Sequence, residues 1–282
     1  MQIKAAPIHS AFMLLTAKRD IELAEEAASS VVETHRRLVT FLRAGVTLPE
    51  VDAFAARTLE ALGCTSAFLH YKVRGTPPFP SHACLSLNDC VVHGTHTMTQ
   101  RALVKGDLLK VDIGVKRNGF IGDAAWTYAI GEADDVMKAL MACGRESLRR
   151  GVAAMQTGKP LNDWARAVQG HVEREKRFCL VRGLGGHGYG RTLHCPPFVS
   201  NVEPSYPSEW PDATRRFTPG MLLAVEPMIA LSSTEIRGKR GTWPIFTADG
   251  SLSVHYEADV LITPDGPRNL TAAMEELPDV VG

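Results

Sequence analysis

Apolar and polar positions alternate along the chain with two periods, and the change from one to the other divides it. Residues 16–43 carry apolar side chains at helical spacing, and Ala44-Gly45 stops the run, which predicts one long helix. Thr47-Leu48-Pro49-Glu50 then reads as a helix start: Thr47 caps, Pro49 fits the first turn, and Glu50 reaches back to close a capping box. That helix runs to Leu62 and ends at Gly63. Two more helices are expected over residues 134–156 and 161–176. Strand-like runs fall at 83–87, 91–93, 108–128, 183–190, 221–231 and 252–263. Residues 72–80 and 201–217 are rich in proline and lack a period. Both read as surface excursions, but the aromatics in them argue against unstructured linkers.

The pattern contains a weak echo. Gly45-Val-Thr-Leu-Pro-Glu-Val resembles Gly158-Lys-Pro-Leu-Asn-Asp-Trp, and each opens a helix, follows a longer helix and precedes a β-rich region. The reading is an α/β (α+β) chain of two similar αα-plus-β halves. A site at their junction would draw residues from both.

One hairpin raises a chemical question. Val111 to Asp123 reads V-D-I-G-V-K-R-N-G-F-I-G-D, a strand, a turn and a second strand. With Asn118-Gly119 as the loop, Gly114 faces Asp123 and Asp112 is its diagonal neighbour; with Arg117-Asn118 as the loop, Asp112 faces Asp123 directly. In either register the two aspartates share a face that should be mostly buried. Buried like charges need relief, either from one shared proton or from a divalent cation.

Composition narrows the classes. The chain has 282 residues, 45% of them hydrophobic, which suits one large domain or two intimate halves. Its formal net charge is zero, so bulk charge does not point to nucleic acid or an anionic membrane. No apolar run approaches the roughly 18–20 residues of a membrane span. Charged residues soon follow Ala11-Phe-Met-Leu-Leu15, and no signal peptide is expected. The six cysteines, Cys64, Cys84, Cys90, Cys143, Cys179 and Cys195, form no C-x-x-C, so reduced thiols and a cytoplasmic location are expected rather than a zinc finger.

Three further segments carry candidate chemistry. Gly185-Gly-His-Gly-Tyr-Gly-Arg191 sets His187 among glycines, and His194 follows seven residues on. Leu222-Leu-Ala-Val-Glu-Pro-Met228 puts Glu226 at the end of an apolar strand, and Leu252-Ser-Val-His-Tyr-Glu-Ala-Asp-Val260 puts Glu257 in another. Singly, each has a plain explanation: a hydrogen-bonded loop histidine, an ion-paired glutamate, a half-exposed strand position. Together, four carboxylates in apolar strands and one histidine would be costly to desolvate without metal. Such an oxygen-rich set with one imidazole suits Mn, Fe or Co and accommodates Zn; it is too hard for Cu(I). Four carboxylates suffice to bridge two divalent ions, roughly 3.5–4 Å apart in hydrolytic centres.

These segments resemble the methionine aminopeptidases of the pita-bread superfamily. The matching pieces are D-I-G-V…G-D, G-H-G-Y-G-R, V-E-P-M and Y-E, with Cys84 to Gly94 (C-L-S-L-N-D-C-V-V-H-G) and residues 44–51 upstream. The short interval from Glu226 to Glu257 is similar to the type I, bacterial form. The resemblance implies one catalytic domain over residues 1–282, with a short arm over about 1–15, and pseudo-twofold halves around a mostly antiparallel curved sheet. It implies two divalent ions (Co, Mn, Fe or Zn) held by Asp112, Asp123, His187, Glu226 and Glu257, with Asp123 and Glu257 bridging. A metal-activated water would attack the scissile carbonyl and Glu226 would act as general base. His194 would serve as an oxyanion-type donor and His93 would hydrogen-bond the substrate amide nitrogen. Asp112 would also help orient the free amino terminus. Tyr71, Cys84, Leu193 and Trp243 fall where the methionine pocket should be, though each also fits ordinary core packing. The implied partners are peptides and nascent chains with N-terminal methionine, and the ribosome; a monomer is expected.

The sequence departs from this pattern at the rim. Cys195-Pro196 stand where acidic residues are usual, Leu193 replaces a phenylalanine, Phe68 replaces a small or cysteine side chain, and residues 72–80 and 201–217 are longer. Cys195 reads as a possible exposed thiol open to oxidation. The rivals are an X-Pro peptidase of the same fold, a metal-free binding protein on that fold, and a second-copy enzyme for an unusual substrate or inhibitor resistance.

Overall fold

The structure is a computed structural model and describes residues 14–282. The arm expected over about residues 1–15, and the start of the chain read for a signal peptide, lie almost wholly outside them.

Helix α1 spans Lys18–Phe41 and lays its buried face, Ala24, Ala27, Ala28, Val31 and Leu38, on the long hairpin. The small alanines let helix and sheet approach closely. Helix α2 spans Leu48–Ala61, and its capping box forms: the Thr47 amide donates to Glu50 Oε2 at 2.8 Å and the Glu50 amide to Thr47 Oγ1 at 3.4 Å. Helix α3 spans Asp135–Ala154, capped by Asp134. Helix α4 is shorter than the pattern predicts, Asn162–Gln169, and a π-helix over Gly170–Glu175 completes the expected length. Gly170, a poor helix former, stands where the hydrogen-bond register slips.

The hairpin strands Leu108–Arg117 and Phe120–Ile130 pair along their whole length, Arg117 opposite Phe120 and Gly114 opposite Asp123. Asn118 and Gly119 both have positive φ, 49° and 82°, so the Asn-Gly loop is the register realised. Cys84–Leu87 and Thr65–Ser66 flank the first strand, and Val280–Val281 adds a parallel edge to the second. A second five-stranded sheet runs Gly266–Asn269, Ala258–Thr263, Leu222–Val225, Gly185–Gly188 and Cys195–Ser200, all antiparallel. Hydrogen bonding groups the mostly antiparallel strands into two main sheets and two three-stranded ones. One continuous hydrophobic core spans both halves.

The echo is longer in three dimensions than in the motif. The Gly45 amide donates to Leu103 O, and the Leu103 amide to Val46 O. At the matching place the Gly158 amide donates to Phe217 O, and the Phe217 amide to Lys159 O. Each strand that follows begins after a positive-φ glycine, Gly106 or Gly220, and continues as Leu108-Leu-Lys-Val-Asp112 or Leu222-Leu-Ala-Val-Glu226. Asp112 and Glu226 are therefore equivalent positions of the two halves.

The excursion over 201–217 is less superficial than its sequence suggests. Trp210 is buried and donates from Nε1 to Phe198 O at 3.0 Å, and Ala213 and Phe217 are buried as well. The 72–80 segment is mostly exposed, with Phe79 turned into the core.

Candidate metal centre

The site forms where the two main sheets meet. Pro227 has no amide hydrogen, so the ladder between residues 222–230 and 253–263 breaks at Glu226-Pro227 and Tyr256-Glu257. Pairing resumes on the far side in the same register, with Val225 opposite Ala258 and Met228 opposite His255. Glu226 and Glu257 therefore face one another across the gap. The Glu257 amide donates to Ala125 O of the hairpin, and the Asp123 amide donates to Asp259 Oδ2 at 2.9 Å, which ties the sheets together.

All five predicted ligand residues converge there. His187 Nε2 lies 3.8 Å from Asp123 Oδ2. Donor atoms of Asp123, His187 and Glu257 lie within 4.8 Å of one another, and so do those of Glu226, His255 and Glu257. Glu257 belongs to both groups. Asp112 belongs to neither, yet it is buried on the same face, opposite Cys84 and Ala125 in the ladder. Asp112 Oδ1 and Asp123 Oδ1 are buried without a hydrogen-bond partner. Among the described residues no lysine or arginine forms an ion pair with any of the four carboxylates.

Electrostatics record the cost. Burial, then neighbouring carboxylates, push Asp123 and Glu257 well above the usual carboxylate range. Burial pushes Asp112 and Glu226 up to about 7. Burial likewise lowers His187, leaving a neutral imidazole. The His187 Nδ1 hydrogen faces Gly188 O at 3.1 Å, which leaves Nε2 toward the carboxylates. Orphaned carboxylate oxygens, a neutral imidazole and converging oxygen donors fit divalent metal ions.

The expected substrate residues surround this cluster. His194 Nδ1 and Tyr71 Oη are hydrogen-bonded at 2.6 Å, and the His194 ring lies 4.3 Å from that of His187. His93 has a positive φ of 57° and meets Trp243 edge-on, ring centres 6.2 Å apart. Trp243 also meets Phe79 and donates from Nε1 to Pro77 O, so the 72–80 excursion braces it. Cys84 and Leu193 are buried in the main core. A cavity of about 740 Å³ opens on the outer side of Trp243, lined by Pro77, Pro80, Met98, Pro244 and Phe246. All six cysteines are free thiols. The expectation of an exposed, reactive Cys195 is not met: it is half-buried, and burial raises its thiol above the usual value.

Sequence reasoning overlooked three residues here. His255 and Asp259 are two residues either side of Glu257, which strand alternation puts on its face. Asn201 donates from Nδ2 to Glu226 O at 2.9 Å from within the proline-rich excursion, where no period marked it.

Comparison with known proteins agrees with this geometry. Residues 22–264 match the model of metallopeptidase family M24. Methionine aminopeptidase 1 of Bacillus subtilis (strain 168) is 34% identical over 253 residues, covering 90% of this chain and 96% of that protein. Methionine aminopeptidase 1 of Mycobacterium tuberculosis is 37% identical over 251 residues, covering 87% and 90%. The crystal structure of the Thermotoga maritima methionine aminopeptidase superposes with a TM-score of 0.82 at 30% identity, covering 92% of this chain and 99% of that one. An Xaa-Pro dipeptidase from Bacillus anthracis, 21% identical with a TM-score of 0.72, shares the fold. The chain belongs to metallopeptidase family M24, among its methionine aminopeptidases.

Proposed function

We propose that the protein is a metal-dependent aminopeptidase that removes methionine from the N-termini of peptides and nascent proteins. The observation that carries this reading is the buried carboxylate cluster, with Asp112 Oδ1 and Asp123 Oδ1 unpartnered and His187 Nε2 3.8 Å from Asp123 Oδ2. Asp112, Asp123, His187, Glu226 and Glu257 would hold two divalent ions, with Asp123 and Glu257 shared. When bound, the ions supply Lewis acidity and lower the pKa of a water.

The remaining steps belong to the chain. Glu226, raised to about 7 by burial, is suited to take a proton from the attacking water and return it to the leaving amine. Tyr71, whose hydroxyl burial keeps protonated, would donate to His194 Nδ1, which would leave Nε2–H free. That N–H would stabilise the oxyanion of the tetrahedral intermediate. His93 would accept the substrate amide, and Asp112 would receive the free amino terminus. Tyr71, Cys84, Leu193 and Trp243 would wall an apolar pocket for the methionine side chain.

The donor set is complete within one chain, which supports a monomer acting as a single catalytic domain over residues 1–282. Six free thiols support a cytoplasmic location, and no helix among the described residues is long and apolar enough to cross a membrane. Mn, Co, Fe and Zn all suit the donors. Arg237 and Lys239, both exposed, line the cavity at Trp243, which supports delivery of nascent chains at the ribosome.

The test is an assay of the Mn²⁺- or Co²⁺-loaded protein on Met-Ala-Ser, Leu-Ala-Ser and an Ala-Pro peptide. Selective methionine release is expected. Preferential Ala-Pro cleavage would move the protein to the X-Pro peptidases, and bound metal without cleavage would favour a binding protein.

A further inference from the structure

His255 is the imidazole at this centre that the metal-ligand reading leaves without a task. It is 2% exposed, and its Nε2 lies 3.1 Å from Glu226 Oε2 and 3.9 Å from Glu257 Oε2. No other hydrogen bond to the Glu226 carboxylate is found among the described residues. Its own backbone is held unusually firmly. The His255 amide donates to Thr127 Oγ1 at 3.0 Å, and Thr127 Oγ1 donates back to His255 O at 2.8 Å. His255 also pairs with Met228 just beyond the break at Pro227. Two residues earlier, Ser253 Oγ accepts from Lys110 Nζ at 3.3 Å, and Lys110, 1% exposed, donates to Asn88 O at 2.6 Å. Two hairpin residues, Thr127 and Lys110, thus clamp the strand that carries the imidazole.

Glu226 is held differently. It sits beyond the last paired residue of its strand, and a glutamate has three side-chain torsions to fix. Freezing such a side chain costs rotamer freedom. A general base that wanders forfeits the alignment on which proton transfer depends.

We propose that His255 is a positioning residue for Glu226: its Nε2–H donates to Glu226 Oε2, fixes that carboxylate, and leaves Oε1 toward the ions and the reacting water. This rests on the proposed role of Glu226. A donor on a clamped strand thus offsets the torsional freedom of a long side chain placed beyond the end of its own strand.

The test compares the wild type with His255→Gln and His255→Leu. Glutamine keeps an N–H donor at comparable reach, and leucine keeps apolar volume without one. Mn²⁺ content and affinity are measured by elemental analysis and calorimetry, and Met-Ala-Ser kinetics are measured on the loaded proteins. His255→Leu is expected to bind two ions about 10-fold more weakly and to lose about 10- to 100-fold in kcat with little change in KM. His255→Gln is expected to recover both to within about 3-fold. Loss of an ion in both variants would make His255 a ligand and overturn the proposal, and so would wild-type affinity and kcat in the leucine variant. Should the leucine variant fail to fold, a folded glutamine variant as impaired as a ligand mutant overturns it equally. A wild type that binds two ions but releases no methionine would overturn the proposed function instead; the three affinities would still decide His255.

Discussion

The two halves deliver their equivalent carboxylates in different ways. Leu108–Asp112 and Leu222–Glu226 follow the same glycine turn and the same apolar alternation. Asp112 lies inside an unbroken ladder, with Cys84 on one side and Ala125 on the other. Glu226 lies one residue past the end of its strand, against Pro227. A short side chain on a fixed backbone suits a constant ligand. A longer one at a break can serve an ion and move a proton. The repeated architecture thus supplies two acids in register, and one proline makes them unequal.

The comparison can be broken most severely at the residues shared by the two sides. Asp123→Ala or Glu257→Ala is expected to abolish metal binding and methionine release together; elemental analysis and kinetics on the purified variants check this. The inequality of the two halves predicts the next effect. Asp112→Asn should lose an ion outright, whereas Glu226→Gln should bind about 10-fold more weakly, still hold two ions at saturating Mn²⁺, and lose roughly 10²- to 10⁴-fold in kcat, the ordinary worth of a general base. Equal loss of metal in both would erase the distinction. His194→Ala should retain both ions and lower kcat by roughly 10²- to 10³-fold, as removal of an oxyanion donor does.

Two smaller effects concern stability. A Cβ on Gly114, which faces Asp123, would lie 2.3 Å from the Phe68 ring. Gly114→Ala should destabilise the fold by about 1–3 kcal/mol, and less in a Phe68→Ala background, as denaturant titration of the double-mutant cycle would reveal. Removing metal should make stability pH-dependent. Burial pushes Asp112 and Glu226 up to about 7, against about 4 in the unfolded chain. Their protonation therefore stabilises the metal-free fold fully below about pH 4, and that contribution is lost as pH rises to about 7. The gap in Tm between metal-loaded and metal-free protein should widen from pH 5 to pH 8. A gap independent of pH would contradict the buried cluster.

What the sequence disclosed follows from the range of each signal. The helix cap at Thr47 and the turn at Asn118-Gly119 follow local rules, and they hold. The shared face of Asp112 and Asp123 follows from a hairpin, so it was legible too. His187, Glu226 and Glu257 stood out from their glycine-rich or apolar surroundings, but the resemblance to a family gave each its role, because no local rule brings distant strands together. His255 and Asp259 were available from alternation around Glu257, but a histidine and an aspartate in a strand carry plain explanations until their neighbours are known. Asn201 and Trp210 could not be read at all, since their partners, Glu226 and Phe198, are fixed by how the excursion packs. The rim departures at Phe68 and Leu193 become packing facts once Gly114 and the core are seen.

The most direct measurement is anomalous diffraction at the manganese edge from crystals of the Mn²⁺-loaded protein. The account predicts two peaks per chain, both within bonding distance of the Asp123 and Glu257 carboxylates, with His187 on one ion. A single peak, or ions bound away from the junction of the two sheets, would contradict it.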